Sequence, residues 1–176
     1  MSVPRHDDGQ SRPAVFFDRD GTLTVDRGYT HRPQDLVFVP GAVAAVKRVN
    51  DLGYHAFLVT NQSGVARGYF TEGDVHAFHD HLQRELRAAG AHLDDIRYCP
   101  YLEGGAIPAY ARYSDWRKPG AGMLLDLMRA WPVAAAASLV VGDKDIDVQA
   151  AQAAGLRGLL FPGGDIDKFL APYLAR

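Results

Sequence analysis

Ala14–Thr24, AVFFDRDGTLT, sets two aspartates one residue apart directly behind an apolar run, with a glycine and a threonine following. The run Ala14–Phe17 reads as a short buried strand. Side chains alternate along a strand, so residues two apart point the same way. A strand continuing through Asp20 would turn Asp18 and Asp20 toward one pocket. Two adjacent anions repel, and one pKa rises unless a cation sits between them. A hard divalent ion such as magnesium, which takes oxygen ligands, meets that need. By the same alternation Arg19 points away from the pair, and no catalytic role is assigned to it.

Outward from this stretch, apolar runs alternate with helical patterns. Pro40-Gly41 opens a helix with Val43, Val46, Val49 and Leu52 on one face, ended by Gly53. Ala56–Val59 is a second strand. Thr71 and Asp74 form a capping-box pattern, and Val75, Phe78, Leu82 and Leu86 follow at helical spacing up to Gly90. Ile96–Tyr98 is a third strand, Pro100–Lys118 a long loop and Gly122–Ala130 a helix. Ser138–Val141 is a strand, Ile146–Ala154 a helix, Leu159–Phe161 a last strand, and a short helix near Asp165–Leu174 closes the chain. Strands alternating with helices imply parallel crossovers, hence an α/β fold whose sheet is covered on both faces. In such sheets ligands bind at the carboxyl edge, where strands pass into their following loops. Asp18, Thr60, Cys99 and Asp143 all stand there.

Composition limits the function classes. The 176 residues suit one domain, expected over 14–176 behind a loose polar tail at 1–13. A net charge of −2 offers no bulk positive field for nucleic acid or an anionic membrane. No apolar run approaches the roughly 20 residues of a membrane span. One cysteine, Cys99, excludes an intrachain disulfide, and with no leader pattern the expected compartment is the cytoplasm. A monomer is the default expectation. No glycine-rich dinucleotide or nucleoside-triphosphate loop opens a helix.

The strand ends carry the chemistry. Asp143, in VVGDKDID, adds a third carboxylate, and Asp147 follows one helical turn later. Thr60 offers a hydroxyl, Asn61, Gln62, Ser63 and Gly64 form a polar turn, and Lys118 precedes a proline. Three carboxylates, a hydroxyl and an ammonium suit a phosphate held against a metal. One aspartate can attack phosphorus. A second can protonate the leaving alkoxide and then deprotonate water, while metal and lysine neutralise the phosphoryl charge.

Four motifs in order, DRDGT at 18–22, TNQSG at 60–64, RKPGAGM at 117–123 and GDKDID at 142–147, resemble the haloacid dehalogenase (HAD) superfamily of phosphohydrolases. DRGYTHRPQDLVFVPG at 26–41 and TNQSGVARGYFTE at 60–72 are closer to its heptose-bisphosphate than to its histidinol-phosphate phosphatases. The resemblance implies a Rossmann-like HAD fold without a large cap domain. It implies Asp18 as nucleophile, and Asp20 as general acid/base that also lends its backbone carbonyl to magnesium. Asp18, Asp20 and Asp143 would be the magnesium ligands, with Asp147 supporting. Thr60 and Lys118 would hold the phosphoryl group. Asp26, Gly28, Tyr29, Asn61, Gln62, Ser63 and Arg117 would bind substrate, a small sugar phosphate. The pocket would be shaped by Val25–Pro40, Val65–Phe70 and Pro100–Lys118.

One departure stands out. Many relatives carry a structural zinc on C-x-H and C-x-C, the latter directly before R-K-P. Here those segments read Cys99-Pro100-Tyr101 and Ser114-Asp115-Trp116. One thiol cannot make a tetrahedral site, so no zinc is expected, and aromatic packing by Tyr101, Tyr110, Tyr113 and Trp116 is expected to hold the loop. His76 and His79 share a helix face without a closing ligand pattern and are read as solvated. Histidinol phosphate, a broad range of small phosphates, and a silent phosphate-binding module remain alternatives to a heptose bisphosphate.

Overall fold

The computed structural model describes residues 9–174. Five strands form one sheet: β1 (Ala14–Phe17), β2 (His55–Asn61), β3 (Asp95–Cys99), β4 (Leu139–Gly142) and β5 (Arg157–Leu160), in the order β3-β2-β1-β4-β5. Every pairing is parallel, with Phe17 opposite both Leu58 and Val141. The helices are α1 (Ala42–Asp51), α2 (Gly64–Arg67), α3 (Glu72–Ala88), α4 (Gly122–Ala130), α5 (Asp145–Ala153) and α6 (Ile166–Leu170).

A central parallel strand must be apolar on both faces, and β1 is. Val15 and Phe17 join Val46, Val49, Phe78, Leu82, Ile166 and Leu170 in a layer with α1, α3 and α6. Ala14 and Phe16 join Met123, Leu124, Leu127, Ala150 and Ala151 in a layer with α4 and α5. The strand order reverses between β1 and β4, so their carboxyl ends open the crevice where such sheets bind ligands. Asp18 and Asp143 are the first residues past those two strands.

The capping box at Thr71 forms as the sequence implies: its hydroxyl accepts from Asp74 N–H at 3.2 Å and Asp74 accepts from Thr71 N–H at 2.8 Å. Leu52 does not join the buried stripe of α1 and is 37% exposed, because the helix ends at Asp51 and Ala42 and Ala45 fill the stripe instead. The turn Gly64–Arg67 is helical rather than open loop. The expected tail at 1–13 falls mostly outside the described residues, but Arg12 exchanges backbone hydrogen bonds with Pro132 and Ala134, and Pro13 accepts from His55. No helix among the described residues is long and apolar enough to cross a membrane.

Candidate active site

Asp18 continues past β1, its N–H donating to Val141 O at 3.0 Å, so it stands on the seam between β1 and β4. Lys118, from the segment before α4, reaches it across the sheet edge. The Lys118 ammonium has three protons and uses all of them: to Asp18 Oδ1 at 2.8 Å, Asp147 Oδ1 at 2.6 Å and Val59 O at 3.0 Å. The lysine is 3% exposed. Burial works against its charge, yet Asp18 and Asp147 together raise its pKa. Asn61 fixes the backbone of this lysine, donating to Lys118 O and accepting from Lys118 N–H, both at 3.0 Å. The Asn61 side chain is therefore committed to Lys118.

Asp147 lies in the first turn of α5, where its other oxygen accepts from Lys144 N–H at 3.1 Å. Asp18, Asp143 and Asp147 can each present an oxygen within 4.8 Å of the others. Two of these three carboxylates share one ammonium. Burial raises the Asp18 carboxyl to about 7; Lys118 pulls it down and Asp147 pushes it up.

These residues fit a divalent cation. The negative charge exceeds the positive, the donors are hard oxygens, and Asp143 Oδ1 is buried with no hydrogen-bond partner among the described residues. Gly21 accounts for the approach: its φ is +83°, and a Cβ there would lie 2.2 Å from Asp143 Oδ2. Gly142 similarly clears Asp147, whose Cγ would lie 2.2 Å from an added Cβ.

Asp20 corrects the alternation argument. β1 stops at Phe17, and the chain then turns, with the N–H groups of Thr22, Leu23 and Thr24 all donating to Arg19 O. The Asp20 carboxylate consequently does not join the other three. Its Oδ1 accepts from Arg19 Nε and its Oδ2 from Arg19 Nη2 and Gln62 Nε2, all at 3.1 Å. The same turn overturns the expectation for Arg19, which folds back onto Asp20 and is fully buried. His79 is not solvated either. It is 5% exposed and 3.2 Å from Arg19 Nη1, with burial and then Arg19 driving its pKa well below the ordinary imidazole value. The signal for His79 was present: Val75, His79, Leu82 and Leu86 are spaced four, three and four, a buried stripe. His76 is exposed, 3.1 Å from Tyr98 OH. No comparable local signal marks Arg19.

Thr60 is buried and accepts from Gln62 Nε2 at 2.9 Å, which links it to Asp20. Ser63 caps α2 without a side-chain bond. Asp26, Gly28 and Tyr29 lie on the exposed rim: Asp26 accepts from Gly28 N–H at 2.9 Å, and Tyr29 has a φ of +52°. The Tyr29 ring meets Tyr69 edge-on at 4.8 Å and borders a hollow of 380 Å³ with Arg27, His31 and Arg32. Arg117 is half-buried, and its Nη1 has no partner among the described residues.

In the long loop, the positions that diverge from the zinc pattern are used in packing. Arg112 lies 4.0 Å over the Tyr101 ring, Tyr101 and Tyr110 are 6.1 Å apart, and Ser114 Oγ accepts from Trp116 N–H at 3.2 Å. Tyr98 and Tyr110 both donate to Glu72 at 2.6 Å, which fastens the loop to α3. Tyr113, by contrast, is 73% exposed and adds no packing.

Comparison with known proteins points the same way. The HAD-hydrolase-like family profile matches residues 115–169. The chain is 47% identical over 163 residues to a D-glycero-beta-D-manno-heptose-1,7-bisphosphate 7-phosphatase from Rhodopseudomonas palustris, covering 93% of this chain and 91% of that one. It is 40% identical to the enzyme of that name from Escherichia coli, over 84% of this chain and 77% of that one. Among solved structures, a HAD-like phosphatase from Mesorhizobium loti superposes with a TM-score of 0.82 at 36% identity, over 93% of this chain and 77% of that one. A D,D-heptose 1,7-bisphosphate phosphatase from B. bronchiseptica, complexed with magnesium and phosphate, gives 0.76 at 34%, over 91% and 86%. The chain therefore belongs to the haloacid-dehalogenase-like phosphatases, hydrolases of phosphate monoesters, in the family that holds the heptose-1,7-bisphosphate 7-phosphatases.

Proposed function

We propose that the protein removes the 7-phosphate of D-glycero-D-manno-heptose 1,7-bisphosphate through an aspartyl-phosphate on Asp18. The observation that carries this is the Lys118 ammonium bridging Asp18 and Asp147 beside Asp143 at the β1/β4 seam. The substrate follows the relatives' names.

Asp18 attacks phosphorus, the bond from phosphorus to the sugar oxygen breaks, and the departing alkoxide takes a proton from Asp20. Water then gives a proton to Asp20 and attacks the aspartyl-phosphate, releasing inorganic phosphate and restoring Asp18. Lys118 and Thr60 hold the phosphoryl oxygens, Lys118 by turning one of its three protons from a protein acceptor to the substrate, and Asn61 keeps the Lys118 backbone in place. Gln62 and Ser63 line the approach. Asp26, Gly28, Tyr29 and Arg117 bind the rest of the substrate, and the unpartnered Arg117 Nη1 suits its second phosphate. Asp18, Asp143 and Asp147, with the Asp20 carbonyl, would hold magnesium, which when bound neutralises charge on the transferring phosphoryl group. The chain works as one domain over 14–176, as a cytoplasmic monomer, without zinc.

Phosphate release is the test. Both heptose bisphosphate anomers, histidinol phosphate, fructose 1,6-bisphosphate and an aryl phosphate are compared, with magnesium and with excess chelator. A heptose bisphosphate should lead in kcat/KM by orders of magnitude, and chelation should abolish turnover. Equal slow turnover of all substrates would refute the assigned substrate; undiminished turnover under chelation would refute the metal.

A further inference from the structure

We propose that Arg19 is the positioning residue for Asp20, fixing the plane of its carboxylate for both proton transfers; this rests on the Asp20 role proposed above. Arg19 is 0% exposed and heads the largest fully buried side chains. A buried guanidinium is costly unless its donors are used, and here they are used in a particular way. Nε and Nη2 grip the two Asp20 oxygens side-on, each at 3.1 Å. The other contacts come from three separate parts of the fold. Thr30 O, in the loop after β1, accepts from Nη2 at 2.6 Å. Gln62 Oε1, in the turn after β2, accepts from Nη2 at 3.2 Å. On α3, the Phe78 ring lies 4.4 Å from Cζ and His79 Nε2 lies 3.2 Å from Nη1.

A guanidinium only donates, so the His79 nitrogen facing it is the lone-pair nitrogen, and His79 serves as an acceptor. The result is a fork whose plane is set from outside the reaction centre. One ion pair would be enough to neutralise Asp20. Anchors on α3 and two loops do more, because they remove the rotation that would let the carboxylate drift. Thr30 also neighbours Tyr29, so the same fork ties the proton-transfer group to the substrate rim.

The experiment is rapid mixing with p-nitrophenyl phosphate, followed by steady-state turnover of a sugar phosphate. Nitrophenolate leaves without a proton, so transfer of the phosphoryl group to Asp18 needs no acid. Hydrolysis of the aspartyl-phosphate still needs water deprotonated. In R19K, which keeps the charge but not the fork, the ratio of burst rate to steady-state rate should rise at least about tenfold over wild type. Sugar phosphate turnover should fall with no burst. D20N should show the same pattern more strongly, and H79L, which only removes the acceptor at Nη1, more weakly. A merely structural role would lower both phases together and leave the ratio unchanged.

A folded R19K with the wild-type ratio, beside a D20N with a raised one, overturns the Arg19 proposal alone. An unchanged ratio in D20N overturns the role of Asp20 itself. Should R19K not fold, H79L decides: a raised ratio supports the fork, and the wild-type ratio overturns it.

Discussion

The carboxylate centre and the exposed rim around Tyr29 are built on different principles. In the centre, Asp18, Asp143, Asp147 and Lys118 come from three distant places in the chain and meet only because β1 and β4 are neighbours. Lys118 holds Asp18 and Asp147 from far away in sequence; Lys118 and Asp18 are 100 residues apart. On the rim the side-chain hydrogen bonds of Asp26 and Arg32 are local, and Tyr29 adds a ring contact to Tyr69. Asp26 bonds Gly28, Arg32 bonds Asp35 at 2.7 Å, and Tyr29 is 46% exposed. A charge in the centre is therefore a matter of both fold and chemistry, whereas a rim residue can change with little effect on either.

Five substitutions probe the contrast, the largest effect first. Asp18→Asn should lower phosphate release roughly 10⁴-fold or more while the protein stays folded, since it removes the proposed nucleophile and one of three crowded anions. Retention of a tenth of wild-type activity would remove Asp18 as nucleophile. Lys118→Met acts on stability, leaving Asp18 and Asp147 buried without a counter-charge; urea unfolding should show a loss of about 3–5 kcal/mol. If Lys118→Met is as stable as wild type, the centre is not held by this lysine.

Gly21→Ala tests the approach of Asp143. The strained φ and the collision with Asp143 Oδ2 should displace that carboxylate, and the magnesium concentration for half-maximal activity should rise about 10–100-fold. An unshifted magnesium titration would show that Asp143 tolerates displacement. On the rim, Tyr29→Ala should raise KM about tenfold, equivalent to about 1.4 kcal/mol, with kcat within about twofold and the melting temperature unchanged. A fall in kcat as large as that of a centre variant would erase the distinction between the two regions.

Glu72→Gln should have the smallest effect. Its carboxyl lies below the ordinary value of 4.5 because Tyr110 and then Tyr98 donate to it. A depressed folded pKa means that the stabilisation is present above 4.5 and lost as pH falls through the folded value. The stability gap to wild type, about 1 kcal/mol or less at pH 7, should persist down to about 4.5 and close as pH falls through the folded value. A gap that stays constant down to pH 3 would mean that charge plays no part in fastening the long loop.

Much of the architecture was legible because it rests on local rules. The run AVFF needed only its apolarity and the capping box only Thr71 and Asp74, and α4 runs over the expected Gly122–Ala130. Asp20 and Arg19 were misjudged because alternation holds only while the strand lasts, and β1 lasts four residues. The burial of His79 could have been read from its place on the stripe of Val75, Leu82 and Leu86, but its partner, Arg19, lies 60 positions away and no local pattern names it.

The sequence by itself determined the alternation of strands and helices, the carboxylates and lysine proposed for phosphoryl chemistry, and, through four ordered motifs, the family. Those follow from residue type and short-range spacing, which the chain carries wherever it goes. Only the tertiary structure decided that Lys118 is shared between Asp18 and Asp147, that Asn61 serves Lys118, and that Arg19 grips Asp20 with His79 behind it. Such pairings depend on which strands become neighbours and where each stops. They are settled when burial leaves a charged group with few partners in reach, and no local pattern records which ones those will be.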